Sequence, residues 1–234
     1  MGLWAAFRRW VTPSKAPLLN IAADEGEGPV IIFLHGIASS AATFTHVIPQ
    51  LSDHYRCISF DLLGFGESPS PVDATFTIEE HVDSIRATIN SLKLDAPFIL
   101  VGHSLGSLLA ARYTAMHPSK VSRLVLVSPP IYVPPNQIGD PLVRARVGAY
   151  MRAYEFLRDN KDFTMATAET LGRLFQLEDI LDVSERNWQA FVLSLKNCIE
   201  TQTTVSDIAS VRVPIDVVYG SLDQFIAPGT MRIV

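Results

Sequence analysis

The sequence predicts an α/β fold built on a mostly parallel sheet, and two patterns and one motif indicate it. From Pro29 onward, short apolar runs rich in β-branched residues alternate with helical patterns, which is typical of parallel strands joined by crossover helices. The first run, Val30–Leu34, is apolar at every position, as expected of a strand buried on both faces. The motif GHSLG at residues 102–106 stands between a predicted strand and a predicted helix rich in small residues.

The other predicted elements follow in chain order. Strands are predicted over residues 56–60, 98–101, 121–127 and 215–219, and helices over residues 41–51, 78–92 and 105–116. Thr77 followed by Glu80 forms the capping-box pattern that starts the second of these helices. Pro118 lies just beyond the third helix and ends it.

Between the last two strands the pattern becomes purely helical. Residues 128–135 contain four prolines, and two apolar stripes at helical spacing come after them. The two stripes are Val143, Val147, Tyr150, Tyr154 and Leu157, then Trp188, Phe191, Val192, Leu195 and Ile199. A helical insertion of this length is a candidate cap over a site. The predicted organisation is therefore an N-terminal amphipathic segment at 1–15, a core at 16–128, a helical cap insertion at 129–207 and a second, incomplete core part at 208–234.

Composition excludes several classes of function. The net charge is −5 and no basic run is present, so nucleic acid is not expected as a partner. The two cysteines, Cys57 and Cys198, form neither a disulfide framework nor a metal-ligand spacing, so no metal or other cofactor is predicted. Reduced cysteines fit a cytoplasmic location. No apolar run approaches the roughly 20 residues that span a bilayer.

The N-terminal segment at residues 2–11 has a helical apolar face with two arginines beside it. Its apolar members are Leu3, Trp4, Phe7, Trp10 and Val11. The pattern lacks the long apolar centre of a signal peptide. One interpretation is a weak contact with a membrane surface. The other, which we favour from the frequency of apolar helix stripes, is a helix packed on its own domain or on a neighbouring subunit.

Ser104 is the candidate nucleophile. In a sharp turn from strand to helix, the serine backbone is strained, and glycines two residues before and after it avoid collisions. The turn exposes the hydroxyl at the carboxyl edge of the sheet and directs the N-terminal N–H groups of the helix toward the reacting centre. The alternative is that Ser104 is not a nucleophile and that the GxSxG pattern arose by chance. The strand before it and the helix after it make that alternative the weaker one.

Two backbone N–H groups are candidates for an oxyanion hole. A tetrahedral oxyanion needs donors at about 3 Å that are in place before the reaction. The N–H of Leu105, directly after the nucleophile, is the first candidate. The N–H of Ile37, after the predicted strand Val30–Leu34, is the second. Taken alone, His35-Gly36 is more simply explained as a turn with a locally hydrogen-bonded histidine, but its position upstream of the nucleophile favours the oxyanion role.

Together, three segments resemble the cap-bearing α/β-hydrolase superfamily of serine hydrolases. They are His35-Gly36, the segment DLLGFGES at residues 61–68, and the GHSLG motif, and they follow in the family's order. Members that this sequence resembles include carboxylesterases, C–C bond hydrolases, lactonases and cofactor-free haloperoxidases. In the family the segment at residues 61–68 is a turn in the pocket wall, so the resemblance implies that Asp61 is structural and not catalytic.

The resemblance also implies an acid and a histidine. The turn Gly220-Ser221-Leu222-Asp223 resembles the acid turn of the family, which makes Asp223 the group that orients the imidazole. The family's histidine follows the acid, but no histidine follows Asp223 in this sequence. We therefore expect a shortened version of a longer enzyme, without the last strand, the last helix and the catalytic histidine. The alternative is a natural short form that folds differently at its end or binds without catalysis.

Two functions from different classes remain open. The first is a serine hydrolase that cleaves a carboxylic ester or related acyl bond through an acyl-serine intermediate, impaired in this form by loss of the histidine. The second is a non-catalytic protein that binds a small ligand on the same fold. The aromatic residues of the predicted cap indicate a small apolar or aromatic acyl substrate, although packing inside the cap explains them better. They are Tyr150, Tyr154, Phe175 and Trp188. The sequence leaves the oligomeric state open.

Overall fold

A six-stranded sheet forms the centre of the molecule. The structure is a computed structural model that describes residues 16–131, 138–175 and 182–220. For residues 171–175 it describes the backbone only. The strands are β1 (Ile21–Glu25), β2 (Val30–Leu34), β3 (Arg56–Phe60), β4 (Phe98–His103), β5 (Val121–Val127) and β6 (Ile215–Val218). Their order is β1-β3-β2-β4-β5-β6. The β1–β3 pair is antiparallel, and every other pair is parallel. The prediction of a mostly parallel sheet is confirmed.

The main core lies on one face of this sheet. Helix α1 (Ile78–Ser91) and helix α2 (Leu105–Met116) pack there against side chains that alternate along the strands. In β2, Ile32 and Leu34 belong to this core, whereas Ile31 and Phe33 belong to a smaller cluster on the opposite face. Because both faces of β2 are covered, its continuous apolar run is explained.

The helix predicted at residues 41–51 is not formed. The chain makes two short 3₁₀ helices instead, Ala41–Phe44 and Ile48–Gln50. Pro49 lies in the first turn of the second one, where it interrupts any continuous α-helical hydrogen bonding. The prediction was therefore wrong in type, although the segment does return the chain from β2 to β3.

A helical stretch connects β5 to β6. It contains α3 (Pro141–Asp159), α4 (Lys161–Phe175), α5 (Trp188–Ser194), a π-helical segment (Leu195–Glu200) and α6 (Thr204–Ser210). Arg112 of α2 holds α6 against the core, because it lies 3.1 Å from the Asp207 carboxylate and donates to Thr203 Oγ1 at 2.8 Å. Within the described residues, none of the helices combines the length and apolar character that crossing a bilayer requires.

Candidate active site

The carboxyl ends of β2 and β4 meet at the point where the strand order reverses. From β2 the chain crosses to β3 on one side, and from β4 it crosses to β5 on the other side. The two connections diverge and leave a crevice, which is where open α/β sheets bind ligands. Since Leu34 is paired with Gly102, the turns after the two strands begin side by side.

Ser104 occupies the sharp turn between β4 and α2. Its backbone angles are φ 50° and ψ −119°, a conformation that is costly for any residue with a Cβ atom. The Ser104 N–H donates to the carbonyl of Val127 at 3.0 Å, and its own carbonyl accepts from the backbone N–H of Ser107 at 2.9 Å. These hydrogen bonds hold the strained turn in place. The predicted sequence of strand, turn and helix is confirmed.

The two glycines that flank this turn are required by close backbone contacts. A Cβ atom added to Gly102 would lie 2.3 Å from the carbonyl oxygen of Gly106. A Cβ atom added to Gly106 would lie 2.3 Å from the Leu34 oxygen and 2.5 Å from the His35 oxygen. All of these are backbone atoms that a side-chain rotation cannot move. The steric reason predicted for the motif is confirmed.

The turn after β2 lies directly against the candidate nucleophile. A Cβ atom on Gly36 would be 3.1 Å from the Ser104 Cβ atom and from His103 Nδ1, a tighter contact than is usual, so the glycine favours this close approach. Ile37 follows at once and is half-buried. Leu105 is the first residue of α2, so its N–H has no acceptor within the helix. The structure thus brings together the four residues 36, 37, 104 and 105, and the oxyanion role of the two N–H groups stays a prediction.

Hydrogen bonds of the His35 ring stabilise this turn. Its Nδ1–H donates to the carbonyl of Gly36 at 2.7 Å, and its Nε2 accepts from the backbone N–H of Leu62 at 2.8 Å. The side chain is fully buried, and burial lowers the pKa of His35 to about 4. With both ring nitrogens occupied, His35 is neutral and has a structural role, as the turn interpretation of this segment expects.

Four other histidines, His46, His54, His81 and His117, lie in surroundings that do not suit a triad role. His81 is buried, its Nε2 lies 3.0 Å from Ser194 Oγ, and burial lowers its pKa to about 3. The ring of His117 packs on that of Tyr113 with centroids 4.8 Å apart. His46 and His54 are exposed. The contacts give His81 and His117 structural roles, and His46 and His54 lie at the surface.

Asp61 joins three segments that are distant in sequence. Its Oδ2 accepts from Asn20 Nδ2 and from the Glu67 N–H, and its Oδ1 accepts from the Ala41 N–H, each at 2.9 Å. The turn glycine Gly66 packs so closely that a Cβ atom there would meet the carboxylate. The carboxylate borders a polar cavity of about 610 Å³ whose lining residues do not include Ser104. Asp61 therefore has the structural role that the resemblance implies, and its partners were not predictable from spacing.

The substitution Asp61→Asn is expected to lower the free energy of unfolding by about 2–3 kcal/mol. An amide has one acceptor oxygen, so either the buried N–H of Ala41 or the partly buried N–H of Glu67 is left facing an NH₂ group. Urea unfolding measures the change, with the exposed Asp53→Asn as the matched control. Equal stability of the two variants would contradict the bridging role.

The aromatic residues of the predicted cap are used mainly for packing. Tyr154 is 8% exposed and belongs to the main core. Trp188 is half-buried, stacks on Phe191 with centroids 5.4 Å apart and lies under the Lys161 ammonium. The Phe175 side chain, the acid candidate at residue 223 and the segment at 1–15 lie outside the described residues. The packing interpretation of Tyr154 and Trp188 agrees with these contacts.

Comparison with known proteins supports the fold and places the chain among relatives. The chain is 40% identical over 114 residues to "Probable lysophospholipase BODYGUARD 2" of Arabidopsis thaliana, a match that covers 46% of this chain and 24% of the relative. Among solved structures, an esterase of Exiguobacterium antarcticum matches with a TM-score of 0.71 at 19% identity, over 93% of this chain and 85% of that chain. The enol-lactonase of Burkholderia xenovorans LB400 matches with a TM-score of 0.68 at 20% identity, over 92% and 82%.

The chain spans about a quarter of the length of the curated relative named above. The two structural matches cover more than nine-tenths of the chain and establish a shared fold. The family profile of the alpha/beta hydrolase fold matches residues 29–233, which include both turns of the crevice. This chain belongs to the α/β-hydrolase fold family.

Proposed function

We propose that the protein is a serine hydrolase that cleaves a carboxylic ester or a related acyl bond. The observation that carries the proposal is the strained backbone of Ser104 at the carboxyl end of β4, with the turn after β2 packed against it. A non-glycine residue held at positive φ costs about 1–3 kcal/mol, and such strain is concentrated at functional sites. We propose that this turn directs the Ser104 hydroxyl toward the crevice.

The proposed reaction proceeds through an acyl-serine intermediate. Ser104 Oγ attacks the acyl carbon and loses its proton to a base, and the carbonyl oxygen becomes an oxyanion that the N–H groups of Ile37 and Leu105 stabilise. Collapse of this intermediate breaks the bond to the alcohol, which leaves with the proton. Water then attacks the acyl-serine in the same way and releases the acid. Asp223 is proposed to orient the histidine base.

Residues 1–234 contain no histidine at the position expected for the base, which is after the acid. No histidine follows Asp223, and His35 uses both of its ring nitrogens in the turn after β2. We therefore propose that turnover by residues 1–234 alone is slow, because a serine hydroxyl is a weak nucleophile without a base. Added imidazole then takes the place of the base in solution.

The relatives support the class of substrate. The proteins described above to which this chain is similar include a probable lysophospholipase, an esterase and an enol-lactonase. A lysophospholipid, a simple ester and a lactone share a carboxylic acyl–oxygen bond. We propose the same bond here, in a small substrate with an apolar or aromatic acyl group.

The test combines covalent labelling with turnover of a chromogenic ester, both measured with and without imidazole. We expect a fluorophosphonate to label Ser104, and we expect ester hydrolysis to rise with imidazole. Both signals should fall to background in Ser104→Ala and stay unchanged in Ser91→Ala, a serine exposed at the end of α1. If imidazole raises hydrolysis equally in Ser104→Ala, the proposal is wrong. Binding of an apolar ligand without labelling or turnover would support the non-catalytic alternative.

A further inference from the structure

Helix α3 has a second apolar stripe that faces solvent. Five apolar residues recur at helical spacing on one side of the helix, and all five are exposed. They are Leu142, Ala145, Ala149, Ala153 and Phe156. The opposite side of α3 already provides the contact with the core through Val147 and Tyr154, which are buried. The outward stripe is therefore not needed for packing of this helix on the domain.

The stripe ends in an exposed aromatic corner between α3 and α4. The rings of Phe156 and Phe163 stack edge to face with centroids 5.2 Å apart, and the two side chains are 49% and 53% exposed. At the other end of α3, Leu142 is 70% exposed. The 19 residues of α3 correspond to a length of roughly 28 Å. A continuous apolar surface of this length is a mark of an interaction site.

Arginines flank this stripe. Over its whole length α3 contains four arginines and two acidic residues, Glu155 and Asp159 near its end, so the helix has a net positive charge although the chain as a whole has a net charge of −5. Arg144 donates to the carbonyls of Ile138 and Gly139 and so closes the start of the helix. Arg146 and Arg152 are exposed and lie on the two sides of the stripe, since each residue advances about 100° around the helix.

From these observations we infer that the outward face of α3, with Phe163, docks on the surface of a lipid bilayer that contains anionic lipids. This docking face combines an apolar stripe with flanking arginines, which is the chemistry of helices that lie in a membrane interface. The sequence at residues 2–11 has the same chemistry, with Trp4, Phe7 and Trp10 beside Arg8 and Arg9. The segment at residues 2–11 and the docking face both carry arginines, so we expect them to repel each other and not to pack together. Both are attracted to the same anionic surface. The inference does not depend on the proposed hydrolase activity.

Sedimentation with lipid vesicles tests the inference, and Ser104→Ala is used as the parent so that hydrolysis plays no part. We expect binding to vesicles of phosphatidylcholine and phosphatidylglycerol in equal parts, and much weaker binding to phosphatidylcholine alone. The double change Arg146→Gln and Arg152→Gln should weaken the first binding about 30-fold. The double change Phe156→Ser and Phe163→Ser should weaken it at least about tenfold.

The matched control removes the same charge elsewhere. Arg86→Gln with Arg212→Gln, both exposed or half-exposed and away from α3, should change binding less than about threefold. Equal binding of the parent and both docking-face variants would overturn the inference, as would no binding by the parent. A parent that is a dimer, converted to a monomer by the two phenylalanine changes, would also overturn it in favour of an interface between copies. If the variant with both phenylalanines replaced does not fold, the variant with both arginines replaced still tests the inference.

Discussion

Replacing Gly106 by alanine is expected to lower the free energy of unfolding by about 4 kcal/mol or more, and to prevent folding under ordinary conditions. The added Cβ atom would lie 2.3 Å from the oxygen of Leu34 and 2.5 Å from that of His35. Leu34 is the last residue of β2 and His35 begins the turn after it, and both residues are fully buried. Relief of the overlap requires α2 to move away from β2, and this movement opens the core between them.

Another glycine in a helix provides the matched control. Gly148 lies in α3, and a Cβ atom there meets only the end of the flexible Arg152 side chain, at 3.5 Å. The same change at this position, Gly148→Ala, should raise the free energy of unfolding by about 0.5–1 kcal/mol, because alanine loses less backbone entropy. Thermal and urea unfolding of the two variants should therefore change in opposite directions. Equal effects would mean that the contact between α2 and β2 is looser than the structure indicates.

The second large effect is a loss of stability in acid. Burial lowers the pKa of His35 to about 4 and that of His81 to about 3, from an ordinary value of 6.5. Between pH 6.5 and pH 4 the unfolded chain therefore binds protons that the folded chain does not. The stability that the neutral histidines contribute is complete above pH 6.5 and falls as the pH decreases. As the pH decreases, each histidine should lower the free energy of unfolding by about 1.4 kcal/mol per pH unit. For the pair, the loss between pH 6.5 and pH 4.5 is about 5 kcal/mol.

The variant His81→Gln separates this effect from general acid denaturation. It removes one of the two titrations, so the slope of the free energy of unfolding against pH should decrease by about 1.4 kcal/mol per pH unit over this window. At neutral pH the variant itself loses the contact with Ser194 and should be modestly less stable. An unchanged slope in His81→Gln would show that His81 is protonated in the folded state.

The parts of the fold that the sequence predicted well are those with a strong apolar pattern. The strands Val30–Leu34, Arg56–Phe60 and Val121–Val127 and the helix Leu105–Met116 have the predicted bounds. Their apolar runs are buried in the sheet or against it, so hydrophobicity alone marks them. The site turn was predictable for a further reason, because Gly102 is required by a contact with Gly106 inside the motif, whereas the contacts that require Gly106 come from Leu34 and His35.

The parts that were not predicted depend on contacts between distant segments. Strand β1 (Ile21–Glu25) is almost entirely exposed and pairs at the sheet edge with β3, so no apolar alternation marks it. The partners of Asp61 come from residues about 20 and 40 positions earlier and from the next turn, and no spacing rule joins them. Likewise, the buried contact of His81 with Ser194 joins α1 to α5, which only the fold brings together.

The neighbouring positions of β5 and β6 have a consequence for how such a protein can diversify. The chain leaves the sheet at Val127 and returns at Ile215, and the two strands are hydrogen-bonded to each other, with the Ser128 N–H donating to the Val218 carbonyl at 2.8 Å. Both ends of the helical stretch are thus anchored at a fixed, short separation whatever lies between them. Doubling the length of a connection costs only about 0.6 kcal/mol in closure entropy. Mutation and insertion can therefore remodel the helical stretch between β5 and β6 without displacing the turn at Ser104.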